Sequence, residues 1–200
     1  MAPRSTVFEE LPVGTVIPDV VLVSMSAHRL STEFSSFESW VVASFLRFRR
    51  LTMEVLAQRL YARPERTERA LTALLRRQIV RRTSETSYEL CREWLPANAE
   101  VVAIEAKLTR WREAVDQASA YLRFADRAYV ALPLETAERT HDLLAVCRSR
   151  GLGLLGVAPH GVQLIRRAPR RRARSPEWVW VLGRALAGAP LTASTHAPTR

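Results

Sequence analysis

The sequence predicts a mixed α/β protein, and three observations support this class. After Pro96, short β-branched runs alternate with amphipathic stretches of helical period, which is typical of a sheet with parallel strands at its centre. Before this region, the pattern indicates one strand, then three helices and a hairpin. Of the 200 residues, 48% are hydrophobic and 25% are charged, so the chain can bury a core and is not disordered as a whole.

The chain is strongly basic, because 30 Lys and Arg residues oppose 20 Asp and Glu residues and give a net charge of +10. This excess favours a polyanionic partner, DNA in the first place and RNA as the other candidate. Lys107 is the only lysine, and the other basic residues are arginines. An ammonium is a compact point charge that can lose its proton, whereas a guanidinium is planar and permanently charged. Position 107 therefore invites a chemical explanation.

No run of residues approaches the roughly 20 apolar positions of a membrane span. The first residues also lack the apolar core of a signal peptide. We therefore expect a cytoplasmic protein with no membrane partner. Cys91 and Cys147 lie far apart and show neither zinc-ligand nor disulfide spacing.

The first predicted strand covers residues 17–24, with Asp19 near its start. A polar stretch follows. Ser35 and Glu38 then have the spacing of a capping box, in which each side chain bonds the other residue's main chain. They predict a helix from this point to about Arg49.

A short amphipathic helix is predicted over residues 51–60, with Thr52 as its cap. Pro64 suits the first position of the next helix, which continues to about Gln78. Two short strand segments complete this region, at residues 79–82 and 88–90.

Three helices followed by a two-stranded hairpin resemble a winged helix-turn-helix domain over residues 36–92. The resemblance makes the helix from Pro64 the recognition helix. It implies nucleic-acid contacts by four arginines, namely Arg66, Arg69, Arg81 and Arg82. A protein-interaction module is the other interpretation, since Glu65 and Glu68 in the first turns would repel phosphate.

The region after Pro96 predicts the rest of the α/β part. The predicted strands cover residues 101–108, 128–133, 152–158 and 161–165, and the predicted helices cover residues 110–124 and 135–150. Ser175 caps a last helix that runs to about Ala187, and residues 189–200 read as a loose tail.

Glu105 and Lys107 project from one face of their strand, because side chains alternate. Charged groups in an apolar strand are costly unless they are paired or serve a site, although a strand end in water would also explain them. Gln117 and Tyr121 are one turn apart on the next helix and can address a common point. Asp19 begins another apolar strand that could lie beside this one.

Together, Pro18-Asp19, Glu105-Ala106-Lys107 and Gln117-x-x-x-Tyr121 resemble the PD-(D/E)xK nuclease superfamily, in particular its RecB-like branch with a QxxxY motif. The resemblance covers residues 1–34 and 96–166. It implies a restriction-endonuclease-like three-layer core around a central mixed sheet, and hydrolysis of DNA with Mg²⁺ or Mn²⁺.

The resemblance also assigns roles to individual residues. Asp19, Glu105 and the main-chain carbonyl of Ala106 would bind the metal, which agrees with the preference of Mg²⁺ for oxygen ligands. Lys107 would position and activate the attacking water. Gln117 and Tyr121 would support the site or contact DNA.

The spacing departs from the family pattern, since Asp19 lies 86 residues before Glu105 where the family usually has a short hairpin. We predict that the winged helix, residues 35–95, is inserted between the first two strands of a core formed by residues 1–34 and 96–188. Such an insertion is tolerable when its ends are close, because loop-closure cost grows slowly with length. The alternatives for the first acid are Glu93 or Glu100. Glu9 or Glu10, on an upstream helix, would be an additional acid.

Six arginines occur in the nine residues from Arg166 to Arg174. This run predicts a solvated loop that attracts phosphates without sequence preference, with Arg170, Arg171 and Arg172 as nucleic-acid contacts.

The leading prediction is a Mg²⁺-dependent deoxyribonuclease, and a homodimer is the expected form if both strands are cut. The alternative is a winged-helix DNA-binding transcriptional regulator on a degenerate, non-catalytic nuclease fold. Both predict salt-sensitive DNA binding, so only cleavage separates them.

Overall fold

The structure is a computed structural model that describes residues 4–25, 33–94 and 98–188. These residues form a six-stranded mixed sheet, a three-stranded sheet and seven α-helices. The strands are β1 (Arg4–Glu9), β2 (Val20–Met25), β3 (Arg50–Thr52), β4 (Val80–Arg82), β5 (Ser87–Leu90), β6 (Glu100–Ala106), β7 (Arg127–Pro133), β8 (Gly153–Ala158) and β9 (Gly161–Arg166). The helices are α1 (Ser36–Arg47), α2 (Met53–Arg59), α3 (Pro64–Arg76), α4 (Trp111–Tyr121), α5 (Leu134–Arg139), α6 (Leu143–Arg150) and α7 (Pro176–Leu186).

The large sheet has the order β1-β2-β6-β7-β8-β9. Strands β6, β7 and β8 are parallel, and the other neighbouring pairs are antiparallel. Helix α4 packs on β6 and β7, α5 and α6 pack on β8, and α7 packs on β2 and β6. The predicted mixed α/β class with parallel strands at the centre is confirmed.

Strands β2 and β6 are neighbours in the sheet although α1, β3, α2, α3, β4 and β5 lie between them in the chain. Ser24 lies opposite Glu100, so the two ends of this α1–β5 segment are close together. Closing a long loop between adjacent strands costs little more than closing a short one, which makes the arrangement physically acceptable. Helix α1 also packs against α7, and apolar residues of both parts belong to one hydrophobic core.

The predicted helix starts are confirmed in atomic detail. Ser35 and Glu38 form the capping box, with the Ser35 hydroxyl accepting from Glu38 N and the Glu38 carboxylate accepting from Ser35 N. The Thr52 hydroxyl accepts from the main chain of Val55 at 3.3 Å and caps α2. Pro64 is the first residue of α3.

The single helix predicted over residues 135–150 is wrong, because α5 and α6 are separated at Thr140. Thr140 has an extended backbone, and its hydroxyl donates to the Thr136 carbonyl at 2.8 Å. Threonine, histidine and aspartate, which fill residues 140–142, favour such local bonds over continued helix.

Strands β1 and β3 were not predicted. Glu9 ends β1 and Glu10 has a positive φ of 47°, so the upstream helix expected to carry one of them is wrong. The predicted tail, residues 189–200, lies outside the described residues, and the predicted domain limits remain a prediction. In the part of the chain that the structure describes, no helix is long and apolar enough to cross a lipid bilayer.

Gly153 generates a prediction about stability. A Cβ at this position would clash with the buried ring of Tyr129 and lie 2.9 Å from the main-chain nitrogen of Ala168. We expect Gly153→Ala to lower the free energy of unfolding by about 1–3 kcal/mol through overpacking. Gly156→Ala is the control, since its nearest contact is the flexible end of Leu134 at 2.5 Å. Urea denaturation should show the smaller loss for Gly156→Ala, and equal losses would contradict this account.

Candidate active site

A buried ion pair lies at the carboxyl end of β6. Glu105 is the penultimate residue of the strand, and its side chain is 2% exposed. Lys107 follows the strand, and its Nζ lies 2.7 Å from Glu105 Oε1. The alternation of side chains along β6 thus brings both groups to one face, as the sequence predicts.

Asp19 reaches the same strand end from β2. Val20 lies opposite Ile104, and continuing this register by one residue sets Asp19 across from Glu105. The Asp19 Oδ2 atom accepts a hydrogen bond from Ala106 N at 2.7 Å. Asp19 and Glu105 are therefore neighbours in space despite the long intervening segment.

The alternative first acids lie elsewhere. Glu100 is at the opposite end of β6, where its carboxylate pairs with Arg127 at 2.8 Å and with Arg170 at 3.3 Å. Glu93 lies in the short 3₁₀ turn Arg92–Trp94 that follows β5. The geometry favours Asp19 over both.

Tyr121 completes the surroundings of Glu105. Its hydroxyl donates to Glu105 Oε2, and this hydroxyl also lies 3.4 Å from the carbonyl oxygen of Ile17. Lys107 thus engages one oxygen of the buried carboxylate, and Tyr121 engages the other. Gln117, the second predicted residue of α4, is exposed, and its side chain has no hydrogen bond to a described residue. The role of Gln117 stays a prediction.

The charges of the site keep Lys107 and Tyr121 protonated. The hydrogen bond and charge of Glu105 raise the pKa of Lys107, and the charges of Asp19 and Glu113 add to the effect. Burial, followed by the hydrogen bond to Glu105, raises the pKa of Tyr121. Both shifts favour the protonated forms, an ammonium on Lys107 and a neutral phenol on Tyr121, on either side of the Glu105 carboxyl group.

The donor types suit a hard divalent cation. Asp19 and Glu105 contribute carboxylate oxygens, and the carbonyl of Ala106 lies between Glu105 and Lys107 in the chain. A carboxylate has about four lone-pair directions, so Lys107 and Tyr121 do not exhaust those of Glu105. Mg²⁺ and Mn²⁺ prefer such oxygen ligands. Within the described residues, no three His, Cys, Asp or Glu side chains group together as a metal site.

An apolar pocket of about 440 Å³ adjoins Lys107. Its walls come from the carboxyl ends of β6, β7 and β8, and they include Ala106, Leu108, Pro133 and Val157. Ligands of parallel α/β sheets bind beyond the carboxyl ends of the strands. The pocket therefore offers space for a substrate beside the charged groups.

The arginines predicted on the winged helix are exposed but already have partners within the chain. Arg66 lies over the Phe37 ring, Arg69 donates to the Glu65 carbonyl, Arg81 pairs with Glu89 at 2.6 Å, and Arg82 donates to the Tyr88 hydroxyl at 3.2 Å. Their contacts with nucleic acid stay predictions.

The arginine run lies far from the candidate active site. Arg170 Nε is 3.3 Å from Glu100 Oε1, at the amino end of β6. The seven residues of β6 separate this point from Glu105 and Lys107 by about 20 Å at the rise of an extended strand. The structure thus does not bring Arg170, or the neighbouring Arg171 and Arg172, to the ion pair.

Sequence reasoning missed Asp126, a buried carboxylate directly before β7. It accepts hydrogen bonds from Val101 N at 2.8 Å and from Trp178 Nε1 at 2.9 Å. The only signal in the sequence was an acid between an apolar helix and an apolar strand. Turns commonly carry such an acid, so the signal was ambiguous.

Comparisons of the chain with protein-family models, curated proteins and solved structures found no match.

Tyr121 generates a prediction about pH. Its raised pKa means that the folded state keeps a proton which the unfolded state releases above about pH 10. The stabilising contribution is therefore complete below pH 10 and is lost as the pH rises, with a slope of up to about 1.4 kcal/mol per pH unit. Tyr121→Phe should show a correspondingly flatter decline of the free energy of unfolding between about pH 9 and 11.

Tyr61→Phe is the matched control, because Tyr61 is 99% exposed. Urea denaturation at a series of pH values measures the three proteins. Lys107 contributes to the decline in all of them, so only the difference between proteins reports on Tyr121. A profile of Tyr121→Phe parallel to that of the unmodified protein would contradict the assignment.

Proposed function

We propose that the chain is a metal-dependent DNA nuclease of the PD-(D/E)xK type. The single observation that carries this proposal is the convergence of Asp19, Glu105 and Lys107 at one strand end. Asp19 is 86 residues from Glu105 in the chain. Chance proximity of these three residue types, next to a pocket, is a poor explanation.

The topology supports the same proposal. A restriction-endonuclease-like core needs a central mixed sheet in which the acid-bearing strands are adjacent, and β2 and β6 meet this requirement. The α1–β5 segment then corresponds to a winged helix inserted between the first two strands that carry the site. Its element order of helix, strand, two helices and two strands agrees with that module.

The cost of burying Glu105 also favours a functional site. A buried ion pair seldom stabilises a fold more than apolar side chains of similar volume would, because both ions lose their hydration. Lys107 retains 23% exposure of its side chain, and it lines the apolar pocket. The Glu105–Lys107 pair is thus a weak source of stability, and Lys107 is partly exposed to solvent. Both properties are expected of a reaction site.

Each residue has a definite role in phosphodiester hydrolysis. Asp19, Glu105 and the Ala106 carbonyl would hold Mg²⁺, which when bound stabilises phosphate charge and lowers the pKa of a coordinated water. Lys107 would act as a cation that orients the water or the scissile phosphate. Tyr121 would hold Glu105 in place through its hydroxyl.

A DNA-binding regulator without catalysis is the second candidate. The specific observation in its favour is that the arginine run and the α1–β5 segment meet at the amino end of β6, away from the ion pair. Such a protein would bind DNA and leave it intact.

Two substitutions test the nuclease. Glu105→Gln removes a metal ligand with little change in shape, and Lys107→Arg keeps the charge but replaces the compact ammonium with a fork. We expect each to reduce Mg²⁺- or Mn²⁺-dependent cleavage at least about 100-fold, since several kcal/mol of transition-state stabilisation are lost. Single-stranded, duplex and branched DNA should be assayed as substrates.

Glu135→Gln is the control, because Glu135 is an exposed carboxylate that pairs with Arg139 on α5. It should cleave like the unmodified protein. Unchanged cleavage in both Glu105→Gln and Lys107→Arg would refute the site. If the unmodified protein binds DNA but cleaves none of the substrates, the regulator is the better description.

A further inference from the structure

The arginine segment, defined as residues 167–174, has a fixed path along the amino-terminal edge of the large sheet. It follows β9, and it contains no helix or strand of its own. A solvated run of charges would have no reason to adopt one conformation, because its charges repel one another. The contacts that hold this segment therefore explain its conformation.

Asp126 is the main anchor of the arginine segment. Its main-chain carbonyl accepts from Arg171 N at 2.8 Å, and its Oδ1 atom accepts from Ala173 N at 3.1 Å. The other carboxylate oxygen is held by Val101 N and by the indole of Trp178. One buried carboxylate thus joins the segment to β6 and α7.

Some arginines face the protein and extend this anchoring. Arg170 donates to the Ala99 carbonyl at 3.0 Å and pairs with Glu100, while Arg174 lies 3.4 Å from the Leu46 carbonyl at the end of α1. The segment also receives a hydrogen bond from Arg127 at the Ala168 carbonyl. The guanidinium groups of these arginines bind protein carbonyl and carboxylate groups, so they are less available to a ligand.

Three other arginines, Arg167, Arg171 and Arg172, are exposed, and their guanidinium groups form no hydrogen bond or ion pair with any residue that the structure describes. The guanidinium of Arg171 lies against Gly151, where an added Cβ would come within 2.6 Å of its Nη2 atom. The three arginines are presented from a fixed main chain, so less conformational entropy is lost when they bind an anion than from a free loop. Three such groups on one short segment suit consecutive phosphates of a nucleic acid.

We propose that the arginine segment is a preformed phosphate-binding surface for polymeric nucleic acid, separate from the candidate active site. Asp126 is its positioning residue. The partner of this surface is the partner of the proposed function, but its binding needs neither the metal nor the ion pair. The two sites lie about 20 Å apart along β6.

The separation defines a class of substrate. Duplex DNA rises about 3.4 Å per base pair. A duplex whose axis follows β6 must therefore exceed about six base pairs to contact both sites. A shorter duplex in this orientation reaches only one of the two sites.

The test is duplex binding measured by fluorescence anisotropy in EDTA over a series of salt concentrations. The combined variant Arg167→Gln, Arg171→Gln, Arg172→Gln should weaken binding and lower the salt slope by about 2 to 3, close to 0.9 per lost phosphate contact. The control variant removes the same charge from three exposed arginines that belong neither to the segment nor to the candidate active site, Arg59, Arg123 and Arg184. It should lower the slope by less than about 1.

Asp126→Asn provides an independent arm, because it makes the protein more positive while removing an anchor. Simple charge attraction requires tighter binding of this variant, whereas a positioned surface requires weaker binding. Thermal unfolding establishes whether the variant folds, and if it does not, the arginine variants decide. Equal slopes in the two arginine variants, or tighter binding by folded Asp126→Asn, would overturn the proposal.

The outcomes remain separate from those of the nuclease test. If the protein cleaves DNA but the combined arginine variant binds normally, the surface is refuted and the nuclease stands. If the protein does not cleave but that variant loses binding, the surface stands and the nuclease is refuted.

Discussion

The buried carboxylate of Glu105 is the constraint around which this molecule is arranged. A carboxylate with only 2% exposure needs a compensating charge and hydrogen-bond donors, because water no longer supplies them. Lys107 comes from the same strand, and Tyr121 comes from α4. Asp19 is held beside it by the main chain of Ala106. The contacts of Tyr121 and Asp19 therefore tie α4 and the start of β2 to the carboxyl end of β6.

The same constraint explains the single lysine. At every other basic position of this chain the positive side chain is an arginine. An arginine at position 107 would bring a planar guanidinium with five donors toward one buried carboxylate oxygen. An ammonium satisfies that oxygen and still has donors left for a water or a phosphate. The hydrogen bond to Glu105, together with the charges of Glu105 and Asp19, raises the pKa of this lysine and favours its ammonium form.

The sequence allowed the helix starts and the pairing of Glu105 with Lys107 to be predicted. The features that depend on contacts between distant parts of the chain could not be predicted in the same way. Ser35, Thr52 and Pro64 predict helix starts because caps depend on neighbouring residues. Glu105 and Lys107 share a face because strands alternate. The break at Thr140 was missed although residues 138–142 are all polar, because Glu135 and the closing Gly151 were interpreted as the two ends of a single helix. Asp126 was missed because its partners, Val101 and Trp178, are distant in the chain. The sequence alone also does not reveal which end of the sheet receives the arginine run.

A buried carboxylate lies near each end of β6, Asp126 before β7 at one end and Glu105 on β6 at the other, and the two differ in what surrounds them. Asp126 bonds to the start of β6 through neutral N–H donors of the main chain and Trp178; burial raises its pKa, and these bonds oppose that shift. Such donors are rigid and have no other use, so this carboxylate is structural. Glu105 instead faces an ammonium and a phenol beside an open pocket. Lys107 keeps donors that Glu105 does not use, and it lines the pocket. This difference in partners, rather than burial itself, is the reason for which the proposed reaction is placed at the carboxyl end of β6.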